Sequence, residues 1–179
     1  MFYISMINFK YAPIKNNILD LNKGLFYKCP KQMNDFCGYT QYNAFDKSGK
    51  LIGHFNGKMD TVFPFSESRF FPYKKAVDSF YLNYIESHKH NFLNEMLTFI
   101  SFLSKRNGGK GRFHLIAIRN FTPSGKIPPH VKYRAYGMKS LDEKKLFKID
   151  EFLKGNLPLE KLRLGTMKMY YVPKNKRPV

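Results

Sequence analysis

This 179-residue chain has no tryptophan, only two cysteines and only 13 acidic residues. Cys29 and Cys37 make neither a Cys-x-x-Cys pair nor a disulfide framework, which points to a reducing compartment. No apolar run approaches the roughly 20 residues of a spanning helix, so no transmembrane segment is expected. The opening MFYISMINFK lacks a basic region followed by an apolar stretch, so no secretory signal is expected and a cytoplasmic protein is. Repeats and long internal linkers are missing as well. The expectation is a single domain over residues 1–173, with a basic tail over 174–179.

What is abundant is positive charge and aromatic rings. The 31 Lys and Arg set against 13 Asp and Glu leave a net charge of +18. A field of that sign attracts polyanions such as RNA and repels free polycations. The lysines are scattered rather than packed in one block, so a merely solvated charge explains them equally well. The 18 Phe and 12 Tyr suggest a core built largely from aromatic rings.

Periodicity divides the chain. Residues 1–9 read as a strand, and 12–23 as a short amphipathic helix with Pro13 in its first turn and Gly24 at its end. Residues 38–46 and 51–60 flank the turn Lys47-Ser48-Gly49-Lys50 and form a hairpin. Residues 61–73 (TVFPFSESRFFPY) are a loop broken by Pro64 and Pro72 and rich in aromatics. Residues 77–86 (VDSFYLNYIE) alternate as a strand. Residues 92–105 repeat apolar side chains at helical spacing, with Asn91 as a candidate cap and Gly108 as the stop. Residues 112–119 (RFHLIAIR) form another strand, and a Pro-rich loop leads to a short helix that holds Val131-Lys132-Tyr133-Arg134-Ala135-Tyr136-Gly137-Met138. A second amphipathic helix over 141–154 and an alternating strand over 166–172 close the chain.

Strand, helix, strand and a short helix with a Tyr four residues before a Gly resemble the core of the GNAT superfamily of acetyl-CoA-dependent N-acetyltransferases. The resemblance covers roughly residues 38–138 and rests mainly on element order. It implies an α/β (α+β) fold, a central mixed and mostly antiparallel sheet of about six or seven strands flanked by helices. The strands at 77–86 and 112–119 should lie parallel, joined by the helix between them. Acetyl-CoA is the implied cofactor and acyl donor, and a primary amine, on a small molecule or a protein, the implied acceptor. The net charge favours an acceptor that is neutral or anionic overall.

Site residues follow from the same resemblance. Tyr133 matches the family tyrosine that protonates the departing CoA thiolate, although Lys132 and Met138 replace the flanking aromatics. Glu86, at the end of the central strand, is the candidate base. Tyr84, Ile85 and Ser87 would offer backbone groups to the pantetheine arm. The strand-to-helix junction would hold the CoA phosphates through His88, Lys89, His90, Asn91 and Leu93, because a helix N-terminus presents unpaired amides. Asn91 and Leu93 stand where the family carries glycines; Asn tolerates a left-handed backbone, whereas the Leu93 side chain either crowds the phosphates or turns inward and leaves the amides free. Asn120 is a further candidate contact to CoA, and His130 lies one turn from Tyr133 but reads as a surface residue. Each position also has a plain structural reading: a solvated strand end for Glu86, a packed ring for Tyr133, a polar loop for the junction.

A metal site built from His88, His90, Cys29 and Cys37 matches no compact zinc spacing, so no metal is expected. The alternative to an enzyme is an inactive module of the same fold that binds RNA or another anionic partner, gripping strands by charge and by the rings of residues 61–73.

Overall fold

The computed structural model describes residues 26–28, 38–62, 76–118 and 126–174. Its strands are β1 (Phe26–Lys28), β2 (Thr40–Phe45), β3 (Leu51–Val62), β4 (Val77–Ser87), β5 (Phe113–Ile118) and β6 (Thr166–Tyr171). Its helices are α1 (Leu93–Arg106), α2 (Pro129–Tyr136) and α3 (Glu143–Leu153), with a short 3-10 turn at Leu159–Lys161. The N-terminal strand and helix expected over residues 1–23 lie outside the described residues, as do both cysteines, Asn120 and most of the aromatic loop.

The six strands form one sheet in sequence order. Every neighbouring pair is antiparallel except β4 and β5, which run parallel. The connection between those two is α1, because a parallel pair needs a crossover that returns the chain to the starting edge. The fold is the mixed, mostly antiparallel α/β class expected, and the parallel pair is the one expected.

One face of the sheet carries the core. Tyr42, Phe55, Phe80, Leu82 and Phe113 are buried, and Phe99 of α1 meets Tyr42 and Phe55 edge-on. Helix α1 forms because Met96, Leu97, Phe99, Ile100 and Leu103 recur at helical spacing and are all buried against this face. Each such side chain contributes about 1.5–3 kcal/mol by leaving water. Helix α2 packs on the same face: the Tyr136 ring lies tilted against that of Phe113, centroids 6.1 Å apart, and its hydroxyl shares a hydrogen bond with Thr98 of α1, 3.2 Å between oxygens. Gly137 ends α2 with φ 110°, a left-handed turn that glycine adopts without strain. The side chain of Arg134 donates two hydrogen bonds to Asp150, both 2.7 Å, and ties α2 to α3.

Element ends differ from the sequence reading by a residue or two, and one cap is different in kind. The N-cap of α1 is Phe92, with no side-chain capping bond, rather than Asn91. Asn91 has φ 55° and sits in the left-handed region one residue earlier, so its side chain does not close the helix.

Candidate functional site

The site begins with a bulge. Asn56 pairs with Tyr84 and Gly57 with Leu82, so Asn83 is an extra residue on β4. Its side-chain amide donates to Asn56 Oδ1 at 3.0 Å. Gly57 is required here, since a Cβ would lie 2.3 Å from the Tyr81 carbonyl and 2.4 Å from the Phe80 ring. A bulge bends its strand and resets the alternation of side chains. Before it, Phe80 and Leu82 face the core. After it, Ile85 packs against the core while Tyr84 and Glu86 turn to the other face.

The ladder between β4 and β5 spans only Phe80–Phe113, Tyr81–His114 and Leu82–Leu115. It stops at the bulge. β4 continues to Ser87 and β5 to Ile118 with no further pair joining them. The two parallel strands thus part at their C-terminal ends, and the backbone of Tyr84, Ile85, Glu86 and Ser87 runs along one side of the opening.

Past Ser87 the chain turns into α1. The Ser87 hydroxyl donates to the Lys89 carbonyl at 2.7 Å, and the His88 amide donates to the Ile52 carbonyl at 2.9 Å. His88, Lys89 and His90 are exposed. Leu93 turns inward and packs on the core, which leaves the first amides of α1 uncrowded by its side chain. Asn91 is left-handed and Leu93 faces inward at the two positions where the resemblance expected glycines.

Glu86 lies within a polar cluster. Tyr84 donates its hydroxyl proton to Glu86 Oε2 at 2.8 Å, which also holds that phenol proton more firmly and raises the Tyr84 pKa. His54, directly across β3 from Glu86, has Nε2 3.7 Å from Oε2, and His88 has Nδ1 3.6 Å from Oε1. The His54 ring stacks on Tyr84 with centroids 5.4 Å apart. Sequence reading missed His54, because only the β3–β4 register sets it opposite Glu86.

Two other groups carry chemistry. Tyr133 has its ring in the core, and burial pushes its pKa up to about 12. Among the described residues its hydroxyl makes no hydrogen bond, whereas that of its helix neighbour Tyr136 is engaged with Thr98. His114 on β5 is a second residue that sequence reading missed. Its Nδ1 lies 3.0 Å from Ser79 Oγ, its ring is 5.1 Å from that of Tyr81, and burial lowers its pKa to about 4. His130 is fully buried, not on the surface as its sequence context suggested. It occupies the first turn of α2, whose inward face also carries Val131 and Tyr133.

Neither a protein-family model nor a curated protein sequence matches the chain. Among solved structures, a bacterial toxin aligns with 74% of this chain at 12% identity and a TM-score of 0.42. The match covers 66% of the toxin, so this chain spans just under two thirds of its length. A protein from Bordetella pertussis assigned to the GnaT acetyltransferase family aligns with 78% of this chain and 70% of its own, at 13% identity and a TM-score of 0.39. Scores at that level leave the fold to be read from strand order and register, as above.

Proposed function

We propose that this chain is an N-acetyltransferase that moves an acetyl group from acetyl-CoA to a primary amine by direct attack. The observation that carries the reading is the parting of β4 and β5 beyond Leu82 and Leu115. An extended arm bearing amides fits between two strands whose facing backbone groups have no ladder partner, because it can take up hydrogen bonds that a strand would otherwise make.

The residues at the opening suit the rest of such a ligand. The first amides of α1 carry no side-chain cap, and a helix N-terminus favours a pyrophosphate. His88, Lys89 and His90 stand beside it.

When bound, acetyl-CoA supplies the thioester carbonyl that the amine attacks and the sulfur that departs. Glu86 takes the proton lost by the amine nitrogen as the carbon–nitrogen bond forms, its carboxylate oriented by the Tyr84 hydroxyl. Tyr133, protonated across the physiological range, is the group that gives a proton to the sulfur as the carbon–sulfur bond breaks. Burial, which raises its pKa to about 12, works against that transfer, so the developing negative charge on sulfur must supply the drive. The net charge of +18 selects an acceptor that is neutral or anionic overall, such as an amine bearing a carboxylate or phosphate.

The test is release of free thiol from acetyl-CoA with a panel of amines at low and moderate salt. Glu86→Gln should lower turnover by roughly 100-fold or more while CoA affinity holds. No amine raising thiol release above the blank refutes the activity, and spermidine as the best acceptor at both salts refutes the electrostatic choice.

A further inference from the structure

We propose that His54, Glu86 and His88 form a binding site for a divalent transition ion of the zinc class. Strand geometry assembles it. Antiparallel register sets His54 directly opposite Glu86, and His88, just past the end of β4, is held by its amide's hydrogen bond to the Ile52 carbonyl with its ring beside Glu86. The candidate ligand atoms of the three side chains all lie within 4.8 Å of one another.

The spacing between them leaves room for an ion. Charge-assisted bonds between imidazolium and carboxylate close to about 2.7–2.9 Å. Here the gaps are 3.7 Å from His54 Nε2 to Glu86 Oε2 and 3.6 Å from His88 Nδ1 to Glu86 Oε1. They are too long for a direct bond. An ion held at about 2.1 Å from each ligand in a tetrahedron sets its ligands about 3.4 Å apart, so from gaps of up to 4.8 Å the side chains close on the ion by rotamer adjustments of about an ångström or less.

The donor set is two imidazoles and one carboxylate, which suits zinc and its neighbours rather than calcium or magnesium. Tyr84, hydrogen-bonded to Oε2 and stacked on His54, is an outer residue of the kind that orients metal ligands. The ligands are partly exposed, so water or a ligand atom from solution completes the coordination.

This inference stands apart from acetyl transfer, since its test reads metal binding. Where the chain does transfer acetyl groups, a bound ion occupies the carboxylate that would accept the proton, so zinc lowers turnover in step with its occupancy. A protein that binds metal yet acetylates nothing upholds this site and removes the other reading.

The probe is cobalt(II) added to the full chain after chelation, followed by visible absorption, with zinc displacement as the competition. The wild type should develop the ligand-field bands of low-coordinate cobalt at one equivalent and lose them on adding zinc. Outer-residue changes alone weaken such sites by about 10–100-fold, so His54→Ala and His88→Ala should each weaken binding by on the order of 100-fold or more. His90→Ala, two residues from His88, should leave binding unchanged. Circular dichroism confirms that the variants fold, and Tyr84→Phe, which keeps the ring, should weaken binding by a smaller factor. A spectrum of fully hydrated cobalt overturns the site. So does a thiolate-to-cobalt band, which would place the ion on Cys29 or Cys37, or equal affinity in the His54 and His90 variants.

Discussion

His114 should make this protein lose stability as the pH falls toward 5, and the loss can be calculated. Burial beside Tyr81 and Ser79 lowers its pKa from the ordinary 6.5 to about 4. Between those two values the unfolded chain binds a proton that the folded chain refuses, so acid favours unfolding. The contribution is intact above the ordinary histidine range and is fully lost once the pH has dropped through about 4. At ~1.4 kcal/mol for each pH unit, the whole effect is on the order of 3 kcal/mol, of which about 2 kcal/mol falls between pH ~7 and pH ~5. For a chain of this size that is a drop of roughly 4–8 °C in Tm. The assay is urea unfolding of the wild type and of His114→Gln, which keeps a side chain able to hydrogen-bond Ser79 but does not titrate. The four other histidines are common to both proteins and cancel in the difference. Wild type should lose about 2 kcal/mol more than the variant over that interval. Parallel pH profiles would show that His114 is not held neutral by burial.

Three further outcomes follow from the packing and the site. Gly57→Ala should destabilise by about 1–3 kcal/mol, since the new methyl meets the Tyr81 carbonyl and the Phe80 ring at the bulge; an unchanged denaturation midpoint would mean that the bulge is not tightly packed. Asp150→Asn should cost about 1 kcal/mol near neutral pH by breaking the two-bond pair with Arg134. That pair holds the Asp150 pKa below its ordinary value, so the cost should fade as acid protonates Asp150 in the parent, and a pH-independent cost would assign it to packing. Tyr133→Phe should lower kcat with little change in CoA affinity, and equal loss in both would make Tyr133 a packing residue.

Much of the fold was legible because its elements keep clean periods. The alternation in VDSFYLNYIE, the helical stripe from Met96 to Leu103 and the Tyr133–Gly137 ending located β4, α1 and α2 within a residue or two. What stayed hidden depends on register and on backbone conformation. Asn83 looks like one more polar position in a strand, yet as a bulge it decides that Tyr84 and Glu86 leave the core face. His54 joins Glu86 only through cross-strand pairing, which no local pattern states. Asn91 has the composition of a cap, but its left-handed φ of 55° moves the capping position to Phe92. His130 carries the mark of a polar surface residue, and only the docking of α2 on the sheet buries it. His114 was visible in RFHLIAIR as a polar residue at an alternating position, a signal that becomes informative only once Tyr81 and Ser79 are placed against it.

The central claim is that the parted ends of β4 and β5, with the start of α1, hold CoA. Calorimetric titration of the full chain with CoA tests it most directly, with adenosine lacking both phosphates and arm as the comparison. Saturable one-to-one binding is predicted, weakened when Lys89 is changed to Glu beside the start of α1 and weakened further when Asn91→Pro removes the left-handed turn. Absence of heat at about millimolar CoA, where even a weak complex near −4 kcal/mol would be populated, would contradict the account.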